Sequence, residues 1–296
     1  MKKIVLKISA CVVLYNPTLE VIENVATYAD KVDHFIVVDN SDTQQHEIIE
    51  TLKSIYSNLI YIDNRGNLGI ATALNIACDC AIAQNSDWIL TMDQDSKFIN
   101  FQDYLHCLHS LDQQSDIALL APNTGRFSPE EIGKNAHDCT FEEHFIVITS
   151  GNFLNLNLFN SIGRFDDNLF IDVVDYDYCA KVKLAGYKTL LFKNILLEHQ
   201  LGVLHKRKNL LTGKIKYKTE HSPQRAYYIA RNYLYLARKY RKSLPQEFAL
   251  LKVINIVFIH DVTKILLYED QKCKKISAKF LGAYHFMIGK YGKYTT

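Results

Sequence analysis

The sequence predicts an α/β fold in which a mostly parallel sheet is flanked by helices. Three observations predict it. Short runs of β-branched residues alternate with segments of helical periodicity over the first hundred residues. Polar or glycine-rich residues follow each strand-like run. The 296 residues, 48 % of them hydrophobic, suffice for one large core, which excludes a disordered or fibrous chain.

Strands and helices alternate through residues 8–92. The predicted strands are Ile8–Leu14, Phe35–Val38, Leu59–Ile62 and Trp88–Met92. The helices predicted between them are Leu19–Ala29, Ile48–Ile55 and Ile70–Ala83. Such units form half of a doubly wound, Rossmann-like sheet, and ligands bind beyond the carboxyl ends of its strands. We therefore expect the functional residues directly after each strand.

The rest of the chain is less regular. Further strands are predicted at 117–120, 145–148 and 189–192. A helix is predicted from Asp175, with acidic residues in its first turn, to a stop at Gly186. After a basic linker from Lys206 to Lys218, three helices are predicted at Pro223–Tyr240, Phe248–Ile259 and Ile276–Ile288. The sequence thus predicts a sheet domain, 1–202, and a basic, mainly helical C-terminal region, 203–296.

Charge is divided unequally between these two parts. Residues 1–202 contain 14 Lys and Arg against 27 Asp and Glu, whereas residues 203–296 contain 20 against 5. A basic tail of this kind is typical of contact with an anionic membrane surface or a nucleic acid. No apolar run reaches the roughly 18 residues that a membrane span needs, so we expect any membrane contact to be peripheral.

The seven cysteines are odd in number and scattered along the chain. This pattern does not indicate a disulfide framework and favours a reducing, cytosolic compartment. Cys78 and Cys80 form the one close pair, but no second Cys or His pair stands at zinc-site spacing. We expect helix packing, rather than metal binding, to explain that pair.

Two carboxylates follow the fourth predicted strand. If the chain stays extended there, Asp93 and Asp95 project from one face while Gln94 points away. Their mutual repulsion would be relieved by a divalent cation such as Mg²⁺ or Mn²⁺, which prefers oxygens shared with substrate phosphates. The alternative is a solvated turn, which is common for Asp-rich loops.

The other strand ends also carry groups that can bind a ligand. Tyr15 and Asp39 follow the first two strands, where an aromatic ring and a carboxylate could hold a nucleobase. Asn67 and Gly69 precede a helix whose free N–H groups suit a phosphate, and Arg65 adds positive charge nearby. The alternative is that these residues only turn the chain.

Ordered motifs extend from Val12 to Asn232. They are Val12-Val13-Leu14-Tyr15-Asn16-Pro17, Val37-Val38-Asp39-Asn40-Ser41, Gly66-Asn67-Leu68-Gly69, Met92-Asp93-Gln94-Asp95-Ser96, Ser150-Gly151-Asn152, Gly163-Arg164-Phe165-Asp166, Asp172-Val173-Val174-Asp175, His199-Gln200-Leu201-Gly202 and Arg225-Ala226-Tyr227-Tyr228 through Arg231-Asn232. The series resembles glycosyltransferase family 2, and within it the bacterial rhamnosyltransferases. The resemblance implies a GT-A fold, a nucleotide-sugar donor and an inverting displacement at the anomeric carbon.

The resemblance also implies roles for individual residues. Tyr15 would flank the base and Asp39 would accept from its ring N–H. Asp93 would approach the ribose or the metal, and Asp95 would be the main metal ligand. A His at the position of His199 is a further metal or diphosphate ligand in some related enzymes.

The general base of the family is the Asp of a Glu-Asp pair that heads a helix. That position maps to Asp175, but Val174 stands where the Glu is expected. Asp172 is the second candidate, and Asp177 follows where many relatives carry an acid. The alternative is that all three are structural, as N-cap and first-turn acids that the helix macrodipole favours.

The expected activity is transfer of L-rhamnose from dTDP-L-rhamnose to a lipid-linked saccharide of an O-antigen or capsule. The enzyme would be cytoplasmic and peripherally bound to the inner face of the bacterial plasma membrane, without a nucleic-acid partner. Two alternatives stay open. One keeps the fold with a UDP-galactofuranose or UDP-hexose donor, and the other is a non-catalytic nucleotide- or nucleic-acid-binding protein.

Overall fold

The computed structural model describes residues 6–111, 115–127, 139–199, 204–208 and 215–295. The chain divides into two compact units. The first consists of Met1–Asp166 and Tyr178–His199, and the second of Asp167–Asp177 and Gln200–Thr296. No helix among the described residues has both the length and the apolar character that a bilayer crossing requires.

The first unit is built on a nine-stranded sheet of the order β3-β2-β1-β4-β8-β6-β9-β5, with β7 paired to β9. Its strands are β1 (Ile8–Leu14), β2 (His34–Asp39), β3 (Leu59–Asp63), β4 (Trp88–Asp93), β5 (Ser96–Phe98), β6 (Ile117–Asn123), β7 (Phe141–Glu143), β8 (Asn152–Asn155) and β9 (Lys188–His199). The first four strands pair in parallel, as does β6 with β9. The remaining pairs are antiparallel. The predicted mostly parallel α/β sheet is confirmed.

Helices cover this sheet and close its core. They are α1 (Glu20–Val25), α2 (His46–Ile55), α3 (Ile70–Ala83), α4 (Phe101–Leu111), α5 (Leu156–Ile162) and α6 (Val174–Leu184), the last of which begins in the second unit. Every residue of β1 is buried, which explains its continuous apolar run. Tyr104 of α4 packs 4.7 Å, centroid to centroid, from Phe153 of β8. Packing of this kind fixes the sheet that positions the strand ends.

The second unit contains a helical bundle and a two-stranded hairpin. The hairpin pairs β10 (Leu204–Lys208) with β11 (Ile215–Thr219). The helices are α7 (Pro223–Tyr240), α8 (Pro245–Phe248), α9 (Leu250–Ile254), a π-helical segment (Asn255–His260), α10 (Asp261–Tyr268) and α11 (Lys272–Met287). Ser222 caps α7 through the amide of Arg225, and Pro223 occupies its first turn. Gly282 lets α11 approach α7, because a Cβ there would stand 2.4 Å from the Tyr227 carbonyl oxygen.

Several element predictions are wrong. The strand expected at 145–148 is absent, and β7 and β8 lie on either side of it. Its β-branched residues have the propensity for a strand, but no strand among the described residues pairs with this segment in the sheet. The helix expected at Phe248–Ile259 is divided into three pieces, and the basic linker contains β10 and β11. The first helix ends at Val25, before a 3₁₀ turn at Ala29–Lys31.

One disulfide is present, although the cysteine pattern did not indicate a disulfide framework. Cys107 and Cys139 form a disulfide, with their Cα atoms 5.5 Å apart. Cys107 lies on α4, which contacts β9, and Cys139 lies just before β7, which pairs with β9. Sequence spacing does not reveal that both segments pack against one strand. The cysteine pattern therefore no longer supports a reducing compartment.

Candidate active site

The three predicted metal ligands lie together at the carboxyl end of β4. Asp93 is the last residue of β4, and Gln94 and Asp95 form the turn into β5. Ser96 of β5 pairs with His199, the last residue of β9. One ligand atom each from Asp93, Asp95 and His199 lies within 4.8 Å of the other two. The turn, rather than the extended chain expected from sequence, gathers the two carboxylates.

Two serines hold this group in place, although the sequence predicted no role for them. The Ser96 hydroxyl lies 2.7 Å from Nδ1 of His199 and receives a 2.8 Å hydrogen bond from the Ser150 hydroxyl. Ser150 Oγ in turn accepts from the backbone N–H of Asp93 at 3.1 Å. This chain of hydrogen bonds links the imidazole to the strand that carries the first carboxylate, so it orients the imidazole.

The group fits a divalent cation. Two carboxylates and one imidazole are a suitable donor set for Mn²⁺, and Mg²⁺ would be held mainly by the carboxylates. Asp95 is 46 % exposed and His199 only 17 %, so one side of the group is open to a ligand. Nδ1 of His199 lies 3.5 Å from Oδ1 of Asp95. A cation between them would offset the repulsion of the two acids.

The end of β1 meets the end of β4 through one glutamine. Gln94 Oε1 accepts from the Tyr15 amide at 2.8 Å, and its Nε2 donates to the Tyr15 carbonyl oxygen at 3.2 Å. The Tyr15 ring is 45 % exposed, and its hydroxyl donates to Asp42 at 3.2 Å. An exposed ring held at both ends can stack on a flat ligand. The sequence singled out Tyr15 but missed Gln94 and Asp42.

Asp39 is buried at the end of β2. Its Oδ1 accepts from the Ser41 amide at 2.9 Å, and its Oδ2 accepts from the Tyr61 hydroxyl at 2.9 Å. Burial and the hydrogen bond to Asp39 raise the pKa of Tyr61, so the phenol stays protonated and donates. A carboxylate oxygen can accept more than one hydrogen bond. A hydrogen bond from a nucleobase to Asp39 would add to the two that it already accepts from Ser41 and Tyr61.

The loop between β3 and α3 contains the predicted phosphate residues. Gly69 is the N-cap residue just before α3, with a φ of 90°, and its amide donates to the Asn67 side chain at 2.9 Å. The Asn40 side chain donates to the Gly69 carbonyl at 3.1 Å, which ties this loop to the end of β2. Arg65 is exposed beside it, and its amide donates to Asp63 at 2.7 Å. The structure thus gathers Asn67, Gly69 and Arg65 in one loop.

The candidate bases belong to the second unit. Both Asp172 and Asp175 line a cavity of about 320 Å³ there. The Arg225 guanidinium holds Asp172, with its Nε 3.1 and 3.3 Å from the two oxygens. Asp177 is fully buried and accepts from Lys239 and from the Tyr240 hydroxyl, each at 2.7 Å. Asp177 is therefore a structural residue.

The loop that carries Asp172 is strained. Phe170, Asp172 and Val173 all have φ values between 52° and 65°, which is unusual for bulky or β-branched residues. The side chain of Asn232 donates to the carbonyls of Leu169, Ile171 and Asp172, at 2.7, 2.7 and 3.2 Å. The buried Arg231 reaches the Asn168 carbonyl at 3.2 Å. This clamp joins the Arg231-Asn232 motif to the loop of the acidic motif.

Of the motif that begins at His199, the residues Gln200, Leu201 and Gly202 lie outside the described residues.

The fold, the carboxylate group and a family match define the class of protein: this chain is a glycosyltransferase of the GT-A fold. It belongs to glycosyl transferase family 2, whose model matches residues 9–160, just over half of the chain. The predicted family is confirmed.

The proteins that are similar to it include one curated relative and two solved structures. The chain is 27 % identical over 293 residues to the dTDP-rhamnosyl transferase RfbF of Shigella flexneri, covering 93 % of each chain. It aligns with the mannosyltransferase PcManGT of Pyrobaculum calidifontis, in complex with GDP-Man and Mn²⁺, at a TM-score of 0.55 and 12 % identity, covering 94 % of this chain and 74 % of that one. With GalNAc-T7, bound to UDP, GalNAc and Mn²⁺, the TM-score is 0.55 at 14 % identity, covering 67 % of this chain but only 44 % of GalNAc-T7.

Proposed function

We propose that this chain transfers L-rhamnose from dTDP-L-rhamnose to a saccharide acceptor, with inversion at the anomeric carbon and with Mn²⁺ or Mg²⁺ as cofactor. The observation that carries the proposal is the grouping of Asp93, Asp95 and His199 at the carboxyl edge of the sheet. The choice of donor rests on the similarity to a dTDP-rhamnosyl transferase along 93 % of both chains.

The donor would lie across the carboxyl edge of the first unit. Tyr15 would stack on the thymine, and Asp39 would accept from its ring N–H. Arg65 and the loop before α3, at Asn67 and Gly69, would attract the diphosphate. Asp93, Asp95 and His199 would hold the cation, which stabilises the charge of the departing dTDP when bound.

Among the candidate bases, we propose Asp175. Arg225 already engages both oxygens of Asp172, and Asp177 is buried with Lys239 and Tyr240. Asp175 would accept the proton of the acceptor hydroxyl as the hydroxyl oxygen attacks the anomeric carbon. The bond from that carbon to the diphosphate oxygen breaks, and dTDP leaves with the electron pair. Asp172 would then orient the loop rather than take the proton.

The direct test measures dTDP release from dTDP-L-rhamnose with Mn²⁺ and saccharide acceptors. We expect Asp95→Asn to lower the rate at least 100-fold, since charge stabilisation of this kind is worth about 10²–10³ in rate. Asp30→Asn is the matched control, because Asp30 is an exposed acid in a 3₁₀ turn of the same unit. Full activity of Asp95→Asn, or full activity in EDTA, would contradict the metal role.

Calorimetric titration with dTDP and with UDP separates the donors. We expect tighter binding of dTDP than of UDP, because the base of the proposed donor, dTDP-L-rhamnose, is thymine and the pocket must accept its methyl group. Tighter binding of UDP would instead assign a UDP-galactofuranose or UDP-hexose donor to the same fold.

We also propose that the second unit binds an anionic membrane surface and so reaches a lipid-linked acceptor from the cytoplasmic side. Phe280, Tyr284, Met287 and Ile288 form an exposed apolar stripe on α11 and just beyond it. Exposed lysines flank the stripe, at Lys274, Lys290 and Lys293. The region 203–296 carries a net charge of +15. An apolar face bordered by cations is typical of helices that lie in a membrane interface.

Vesicle flotation tests this surface. We expect the full chain to float with phosphatidylglycerol vesicles and not with phosphatidylcholine, and Met287→Ser to weaken flotation several-fold. Leu19→Ser is the control, since Leu19 is an exposed apolar residue of the first unit. Equal flotation of wild type and Met287→Ser would refute the proposal, as would salt-sensitive binding to oligonucleotides in place of vesicles.

A further inference from the structure

The second unit contains a cavity of about 320 Å³ between α7, the π-helical segment, α10 and α11. Asp172 and Asp175 line one part of it, and the rest is lined by lysines, carboxylates, tyrosines and aliphatic side chains. A volume of this size lies at the lower end of the range for small-molecule sites. The question is which chemistry such a mixed wall would bind.

The charges in the wall compensate one another. Lys275 is 2 % exposed and donates to Glu269 at 2.9 Å and to Glu220. Lys279, also 2 % exposed, donates to Asp261 at 3.0 Å. The third lysine of the wall, Lys264, lies 3.4 Å from the other oxygen of Glu269. Each ammonium group is thus already matched by a carboxylate. The wall offers many donors and acceptors held in fixed positions, but no excess positive charge for a phosphate.

Aromatic and aliphatic groups form the rest of the wall. The rings of Tyr176 and Tyr233 meet edge to face, with their centroids 5.8 Å apart. Burial and the hydrogen bond with Tyr176 raise the pKa of Tyr233, so its hydroxyl stays protonated. Ile229 and Ile256 add apolar surface. The cavity therefore combines apolar patches with a dense set of hydrogen-bonding groups.

We propose that this cavity binds a neutral sugar ring of the acceptor and that its wall determines acceptor specificity. A sugar ring presents C–H surface to aromatic and aliphatic groups, and its hydroxyls donate to carboxylates and accept from lysines. The wall has both kinds of partner in compensated pairs, which match hydroxyls rather than an ionic group. This inference rests on the proposed transferase function, because Asp175 of the same wall is the proposed base.

The inference separates recognition from chemistry within the second unit. Lys275, Lys279 and Tyr233 would bind hydroxyls that do not react, whereas Asp175 would bind the hydroxyl that attacks. An acceptor with a carboxylate or phosphate on this ring would place a third charge beside each ion pair, and desolvating that charge without a new partner is unfavourable. Such an acceptor would be excluded.

Saturation-transfer NMR on the full chain, without donor or metal, tests the cavity. The probes are methyl α-L-rhamnoside and methyl N-acetyl-β-D-glucosaminide as neutral rings, with methyl β-D-glucuronide as the anionic ring. We expect at least one neutral glycoside to bind and the glucuronide not to bind. Ile229→Trp, which fills the cavity, should abolish that binding, whereas the control Leu251→Trp, at an 82 % exposed position outside it, should not.

Tyr233→Phe serves as a second variant, because it keeps the ring and removes one hydroxyl. We expect it to weaken glycoside binding about fivefold, the value of one net hydrogen bond. Should Ile229→Trp fail to fold by circular dichroism, Tyr233→Phe decides. Unchanged binding in the variants, preference for the glucuronide, or no glycoside binding by the folded wild type would each overturn the inference. The glycoside experiment contains no donor, so it tests the cavity alone. A failure to bind dTDP in the separate titration would contradict the proposed function instead.

Discussion

Replacing Asn232 with Leu tests how the loop that carries Asp172, here called the acidic loop, is held. Asn232 is fully buried on α7, and its amide bonds three carbonyls of the loop, those of Leu169, Ile171 and Asp172. Leu has nearly the same size but cannot donate. The variant therefore removes the two N–H donors that the three carbonyls share, and also the oxygen that accepts from Nε of the buried Arg231 at 2.9 Å, without opening a large cavity.

The cost follows from these contacts. At roughly 1 kcal/mol for each net hydrogen bond, with partners left buried, we expect the free energy of unfolding to fall by about 3 kcal/mol. The positive φ values of Phe170, Asp172 and Val173 are unfavourable and persist only while the surrounding contacts hold the loop. The loop should therefore relax, and a displacement of about 1 Å at a catalytic group costs roughly 10²-fold in rate.

The assay measures kcat for dTDP release and the Kd of dTDP with Mn²⁺. We expect Asn232→Leu to lower kcat about 100-fold and to leave the Kd unchanged, because the donor residues lie in the other unit. Asn157→Leu, at an exposed position of α5, is the control. A folded Asn232→Leu enzyme with wild-type kcat would refute the reasoning, as would a Kd that rises in step with the loss of kcat.

Three further changes have defined outcomes. Gly151→Ala should lower the free energy of unfolding by about 2–4 kcal/mol in urea titration, since the new Cβ would stand 2.6 Å from Pro122 at a φ of 85°; an unchanged midpoint would contradict this. Asp177→Asn should cost about 3 kcal/mol because it removes the buried negative charge that pairs with Lys239, and a loss below 1 kcal/mol would contradict it. Burial lowers the pKa of His221 below its ordinary 6.5, so stability should fall as pH falls below about 6.5, and less so in His221→Gln; identical pH profiles would contradict this.

The sequence predicted the parallel half of the sheet well because its signals are local. The buried strand β1 consists of a continuous apolar run, and polar residues follow its end. Parallel strands align their carboxyl ends, so the sequence also predicted where Tyr15, Asp39, Asp93 and Asp95 would collect. The roles of these residues stay predictions.

The supporting contacts could not be predicted because they join distant parts of the chain. Ser96 meets His199 only because β5 pairs with β9, 103 positions away in sequence. The bonds of Asn232 to the acidic loop span 60 to 63 positions. The sequence motifs include Ser96, His199 and Asn232. Which side chains meet, however, depends on packing that no local pattern encodes.

The most direct test of the account is Mn²⁺ binding by the wild type and by Asp95→Asn, measured by electron paramagnetic resonance with and without dTDP. We expect the wild type to take up one Mn²⁺ together with dTDP, and each ligand to strengthen binding of the other. Asp95→Asn should lose this coupling while remaining folded. Equal Mn²⁺ uptake by both proteins, or dTDP affinity unaffected by removal of the metal, would contradict the claim that Asp93, Asp95 and His199 form a metal-dependent donor site.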